Sequence, residues 1–137
     1  MQKIVKIVVA SMSLVTLLLP LSAFAKDAAP QDRVMLVFVF EKSCRISCDR
    51  VRPVLVELET AYKEKLRVVE LDVSPSKHAE TQKKAEELGL KSFLSDTEDW
   101  YPAVGIFSRN GKKVKEILGA QTKEKYEAAI EKALAAK

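Results

Sequence analysis

The sequence predicts one α/β domain with a mixed central sheet, helices on both faces and the element order β-α-β-α-β-β-α. Three observations carry that prediction. Residues 34–40 (VMLVFVF) form an unbroken apolar run, β-branched and aromatic, as expected of a strand buried on both faces. A helical repeat of apolar positions (Val51, Leu55, Leu58, Tyr62) separates this run from a second strand at 66–73 (LRVVELDV), which makes a parallel crossover. Two further strands, 103–107 and 113–118, flank Arg109-Asn110-Gly111, a hairpin-turn signal that makes the sheet mixed.

The helices follow in order. Ser43 is the expected N-cap of the first, and Pro53 inside it is expected to kink it. Ser74-Pro75 opens a second helix, strongly polar to about residue 88 and therefore surface-lying, which Gly89 stops. Residues 91–100 read as either a short helix or an ordered loop, rich in acid through Asp96, Glu98 and Asp99. Gly119 breaks the hairpin pattern. Thr122 then caps a last helix with Tyr126, Ile130, Ala133 and Leu134 on one face.

Residues 1–25 read as a secretory signal peptide. Lys3 and Lys6 make a basic start, residues 7–21 an uncharged apolar stretch, and Ala23-Phe24-Ala25 a small-x-small cleavage pattern. The stretch is short for a membrane span, which needs roughly 20 apolar residues. Cleavage after Ala25 leaves 112 residues: a flexible lead-in over 26–33 and a domain over 34–137. The location expected is periplasmic or otherwise exported, with no stable membrane insertion after cleavage. Removing two lysines and no acid brings the net charge of +4 down to about +2. Charges of both signs are interspersed, which gives no case for nucleic acid.

The chain has two cysteines, Cys44 and Cys48, at the start of the first helix. Outside the cytosol disulfides form and persist, but a bridge across so short a loop removes little chain entropy. Their closeness is better explained by chemistry. Residues four apart on a helix share a face, with Cα atoms about 6 Å apart, inside the disulfide range of roughly 4.4–6.8 Å. A helix N-terminus favours the thiolate, the nucleophile of disulfide exchange. Lys42, Arg45, Arg50 and Arg52 add positive charge, partly offset by Glu41 and Asp49. Redox exchange is the favoured reading, with metal ligation and an inert pair as the alternatives.

Over residues 34–134 the chain resembles the thioredoxin superfamily. VFVF-EKSC resembles the strand leading to the first active-site cysteine, Pro53 falls five residues after Cys48 at the place of the family's helix proline, and PVLVELETAY resembles the helix continuation. Tyr101-Pro102 opening a strand is similar to the family's cis-proline, and Asn110-Gly111 and Gly119-Ala120 fall in the family's order. The resemblance implies a thioredoxin-like fold and an enzyme, a thiol–disulfide oxidoreductase. In that reading Cys44 is the attacking nucleophile, Cys48 the resolving cysteine, and Pro102 the residue that holds backbone groups against the mixed disulfide. Tyr101 and Trp100 contact substrate, while Lys42 and Arg45 tune the Cys44 thiol. No cofactor beyond the cysteines is implied and no metal ligand is assigned. The partners are protein thiols or disulfides and an unidentified redox partner.

Three departures from the pattern stand out. Arg45-Ile46-Ser47 makes the spacing C-x-x-x-C rather than C-x-x-C. Phe38 occupies the position of the family's buried acid, a proton acceptor, leaving Glu41 as the possible substitute. Residues 91–100 are longer than the minimal connection, and read as a partner-recognition loop or a solvated connector. C-x-x-x-C is also the spacing of the Sco family of thioredoxin-fold copper proteins, but the sole histidine, His78, lies earlier than that family's ligand. A thioredoxin fold used only as a binding module, with Trp100 and Tyr101 as the contact, is the remaining alternative.

Overall fold

The computed structural model describes residues 31–137. The expected signal peptide and most of the lead-in lie outside the described residues. The elements are β1 (Val34–Phe40), α1 (Arg45–Tyr62), β2 (Leu66–Asp72), α2 (His78–Glu87), α3 (Lys91–Thr97), β3 (Ala103–Phe107), β4 (Lys113–Leu118) and α4 (Lys123–Ala135). They form a four-stranded sheet in the order β2-β1-β3-β4. β1 and β2 are parallel and β3 and β4 antiparallel, as the element order predicts, and β1 pairs with β3 antiparallel to join the two halves.

β1 sits in the middle of the sheet and is buried on both faces, which explains its unbroken apolar run. Alternation along the strand divides it between two cores. Val34, Leu36 and Phe38 face α1 and α4, packing on Cys48, Val51, Leu55, Leu58, Tyr126 and Ile130. Met35, Val37 and Val39 face α2 and α3, packing on Ala85, Phe93, Leu94 and Phe107. Helices therefore cover both faces.

Several local expectations are corrected. Ser43 does not cap α1: its N–H donates to the Glu41 carboxylate at 2.8 Å, its hydroxyl donates to the same carboxylate, and Cys44 takes the N-cap position. Pro53 lies within α1, which runs on unbroken to Tyr62. Ser74-Pro75 opens one 3₁₀ turn, Pro75–Lys77, before α2 begins at His78. Gly89 does stop α2, with φ of 70°. Residues 91–97 are the helix α3, with Phe93, Leu94 and Thr97 buried. A solvated connector is therefore ruled out for most of 91–100. Among the described residues no helix is long and apolar enough to cross a membrane.

Candidate active site

Three chain crossings meet at one end of the sheet. β1 ends at Phe40, whose partner in the parallel register is Asp72, the last residue of β2. In the antiparallel register Val39 opposes Ala103, so Pro102 enters β3 at this same end. The chain leaving β1 runs through Glu41–Ser43 into α1, and Cys44 sits where loop becomes helix. The order of elements thus brings the cysteine turn, the Ser74 turn and Pro102 to one rim.

Cys44 and Cys48 form a disulfide with a Cα–Cα distance of 5.6 Å, close to the separation that helix geometry predicts. The two sulfurs have different surroundings. Cys48 is 2% exposed and belongs to the α1-side core, whereas Cys44 is half-buried at its edge. A bridge with one accessible and one buried sulfur is attacked from outside at the accessible one. A cysteine at a helix start also lies close to unpaired N–H groups and the positive end of the helix dipole, which stabilise a thiolate.

The loop before Cys44 is a tight turn. Cys44 N–H donates to the Glu41 carbonyl at 3.0 Å, and Arg45 N–H to the Ser43 carbonyl at 2.8 Å. Hydrogen bonds from the Ser43 hydroxyl hold the Glu41 carboxyl below its usual range, with the Ser43 N–H adding to the effect. A carboxylate stabilised in this way is a weak proton acceptor. Glu41 is therefore a poor replacement for the family's buried acid. Phe38, at that acid's position, is wholly buried and stacks on Phe40 with ring centroids 5.2 Å apart.

Of the basic residues, Arg52 does not serve the cysteine pair. Its guanidinium bonds to Glu70 at 2.7 Å and lies 4.6 Å from the Phe40 ring centroid, filling the seam between α1 and β2. Lys42, Arg45 and Arg50 take part in no ion pair among the described residues, and all three are exposed. His78 is exposed at the first residue of α2, in the layer on the sheet face opposite α1.

The Tyr101–Pro102 peptide bond is cis. Pro102 is buried, and its carbonyl accepts from Gly119 N–H at 2.8 Å, which ties the start of β3 to the end of β4. Trp100 and Tyr101, beside it, are 67% and 40% exposed. Ile46, between the cysteines, is 77% exposed. Large apolar side chains left outward in this way suit contact with another chain. Ile46 is an addition to the residues that sequence reasoning assigned. Its position in the C-x-x-x-C insert was the available signal.

No family model matches the sequence, and no curated protein matches it either. Solved structures do. One is a Chlorobium tepidum protein described as a thiol:disulfide interchange protein, DsbE, with a TM-score of 0.57 and 20% identity over 79% of this chain and 92% of that one. Another is yeast mitochondrial 1-Cys peroxiredoxin, studied for thiol resolution through glutathione and thioredoxin systems. It has a TM-score of 0.52 and 20% identity over 74% of this chain and 80% of that one. At such identity the likeness is one of fold.

Proposed function

On the thioredoxin fold that this chain has, we propose that it is an exported thiol–disulfide oxidoreductase exchanging disulfides with protein substrates through Cys44 and Cys48. The observation that carries the reading is the asymmetric pair: a half-buried Cys44 at the N-cap of α1, bonded to a buried Cys48 one turn on.

The exchange runs in two balanced steps. In the reduced protein the Cys44 thiolate attacks one sulfur of a substrate disulfide, forming a mixed disulfide and expelling the other substrate sulfur as thiolate. Cys48 then loses its proton and attacks the Cys44 sulfur. That step re-forms the intramolecular bridge and releases the second substrate thiolate, so the substrate gains two electrons and the protein loses two. A dithiol partner returns them. Run in reverse, the same steps oxidise a substrate dithiol. No other cofactor takes part.

The remaining roles follow from position. Lys42 and Arg45 favour the Cys44 thiolate. Trp100 and Tyr101 receive the substrate backbone and side chains beside Pro102. With Phe38 in the core and the Glu41 carboxylate made a weak base by its Ser43 hydrogen bonds, neither takes the Cys48 proton, so solvent or the departing substrate thiolate receives it. The copper reading gains no support from His78, which lies in the opposite layer.

Insulin reduction tests the proposal. The wild-type protein, supplied with dithiothreitol, accelerates precipitation of the insulin B chain. Cys44→Ala abolishes the acceleration, and Cys48→Ala accumulates a mixed disulfide through Cys44. Full activity in Cys44→Ala overturns the assignment.

A further inference from the structure

The turn before Cys44 is held from outside by Ser74, which the sequence placed only as a helix start. At its root, Val73 N–H donates to the Phe40 carbonyl at 2.8 Å. Farther along, Lys42 N–H donates to the Ser74 hydroxyl oxygen at 3.1 Å, a link between positions 32 residues apart. Ser74 is 4% exposed although it lies in a connection between β2 and α2. Asp72 fixes it in turn. The Ser74 N–H donates to Asp72 Oδ1 at 3.0 Å, and the Ser74 hydroxyl donates to the same oxygen.

The Ser74 hydroxyl donates to Asp72, with the Glu41 carboxylate a second acceptor beside it, and its lone pairs accept the Lys42 N–H. Asp72 is itself held: Thr81 Oγ1 donates to its carbonyl at 2.5 Å. Burial pushes the Asp72 carboxyl up, but the Ser74 hydroxyl and N–H, together with nearby Lys42 and Lys77, bring it below its usual range. The acceptor that orients the Ser74 hydroxyl is therefore an ionised carboxylate at neutral pH, and a charge-assisted bond to it is short and strong.

We propose that Ser74, oriented by Asp72, is a positioning residue for Cys44: it fixes the Glu41–Ser43 turn and so holds the thiol at the helix start. Ser74 does not touch the reacting sulfurs. It acts through the Lys42 amide, two residues before the nucleophile. The sequence signal is Asp72-Val73-Ser74-Pro75, an Asx turn closed by the proline that starts the next helix. The inference rests on the functional reading above for its importance, but its geometry stands without it.

The test uses the reduced protein and iodoacetamide, which alkylates accessible thiolate whether or not the protein exchanges disulfides with substrates. The alkylation rate of Cys44 against pH reports its thiolate population, with Cys48 buried and slow. For Ser74→Ala the profile moves to higher pH and the rate at pH 7 falls by about threefold to tenfold, the worth of one hydrogen bond. Ser74→Thr, which keeps the hydroxyl, restores it. A Ser74→Ala profile that overlays the wild type overturns the proposal. If Ser74→Ala fails to fold, hydrogen exchange of the Lys42 amide in the folded wild type decides: protection supports the link, and exchange at the free-peptide rate overturns it. Silence in the insulin assay with a shifted alkylation profile removes the enzyme reading and leaves Ser74 in place.

Discussion

Gly105 shows how one side chain's absence shapes the α3 side of the sheet. A Cβ added there would stand 2.6 Å from Phe93 Cζ and 2.8 Å from the Phe107 ring. Those two rings meet edge to face with centroids 5.4 Å apart, a favoured aromatic geometry. Glycine in a strand interior marks such a close approach. Gly105→Ala therefore destabilises by about 1–3 kcal/mol through overpacking. Urea unfolding measures the loss, and Phe93→Leu in the same chain relieves part of it. An undiminished midpoint in Gly105→Ala would contradict this packing. The need for Gly105 was not legible in the sequence, because the ring that fills its place lies twelve residues earlier. Ser43 illustrates the opposite failure. The cap signal was local and correct in type, but Glu41 offered a nearer carboxylate, so Ser43 bonded backwards and Cys44 became the cap. That displacement leaves Cys44 at the helix boundary and Cys48 one turn inside, an arrangement the C-x-x-x-C spacing already implied.

Among the elements, those with a dominant periodicity were readable and those defined by partners were not. β1, β3 and β4 lie where their apolar runs and hairpin turn placed them, since burial on both faces or a two-stranded turn leaves a strong pattern. α3 was ambiguous because seven residues carry too few turns to show a period, and its buried face consists of Phe93, Leu94 and Thr97. Its place on the second core decides it. The joint between α1 and α4 is another contact that needs the fold. Tyr62 near the end of α1 donates its hydroxyl to Glu131 of α4 at 2.8 Å, across 69 positions. Burial, then the Glu131 hydrogen bond and charge, push the Tyr62 phenol from its ordinary 10.0 up to about 12. A group whose folded pKa is raised contributes stability that is fully present below the unfolded value and lost as pH rises through the folded one. Tyr62→Phe therefore lowers stability by a constant amount below pH 10, and the deficit vanishes as pH approaches about 12. Ultraviolet difference titration of wild type against Tyr62→Phe checks it: the missing phenol ionises near 12, and ionisation near 10 would contradict the joint.

Across the whole molecule, two cores share one sheet and the reactive pair sits at the rim of one of them. The α1-side core contains Cys48 itself, so its sulfur is fixed by the same packing that holds Leu36, Leu55 and Ile130. The fold class, element order and placement of the pair at a helix start were legible because they follow from patterns along the chain. The links between turns were not, since Lys42–Ser74 and Pro102–Gly119 join residues that only the finished sheet brings together. The central claim is that the pair is a working redox couple rather than a staple. Its most direct test is the reduction potential of Cys44–Cys48, read by equilibrating the protein with glutathione buffers and trapping free thiols. A working couple titrates reversibly between about −270 and −120 mV, the span of thiol–disulfide exchange proteins. A pair that remains oxidised below about −300 mV, in the range of structural disulfides, would contradict the account.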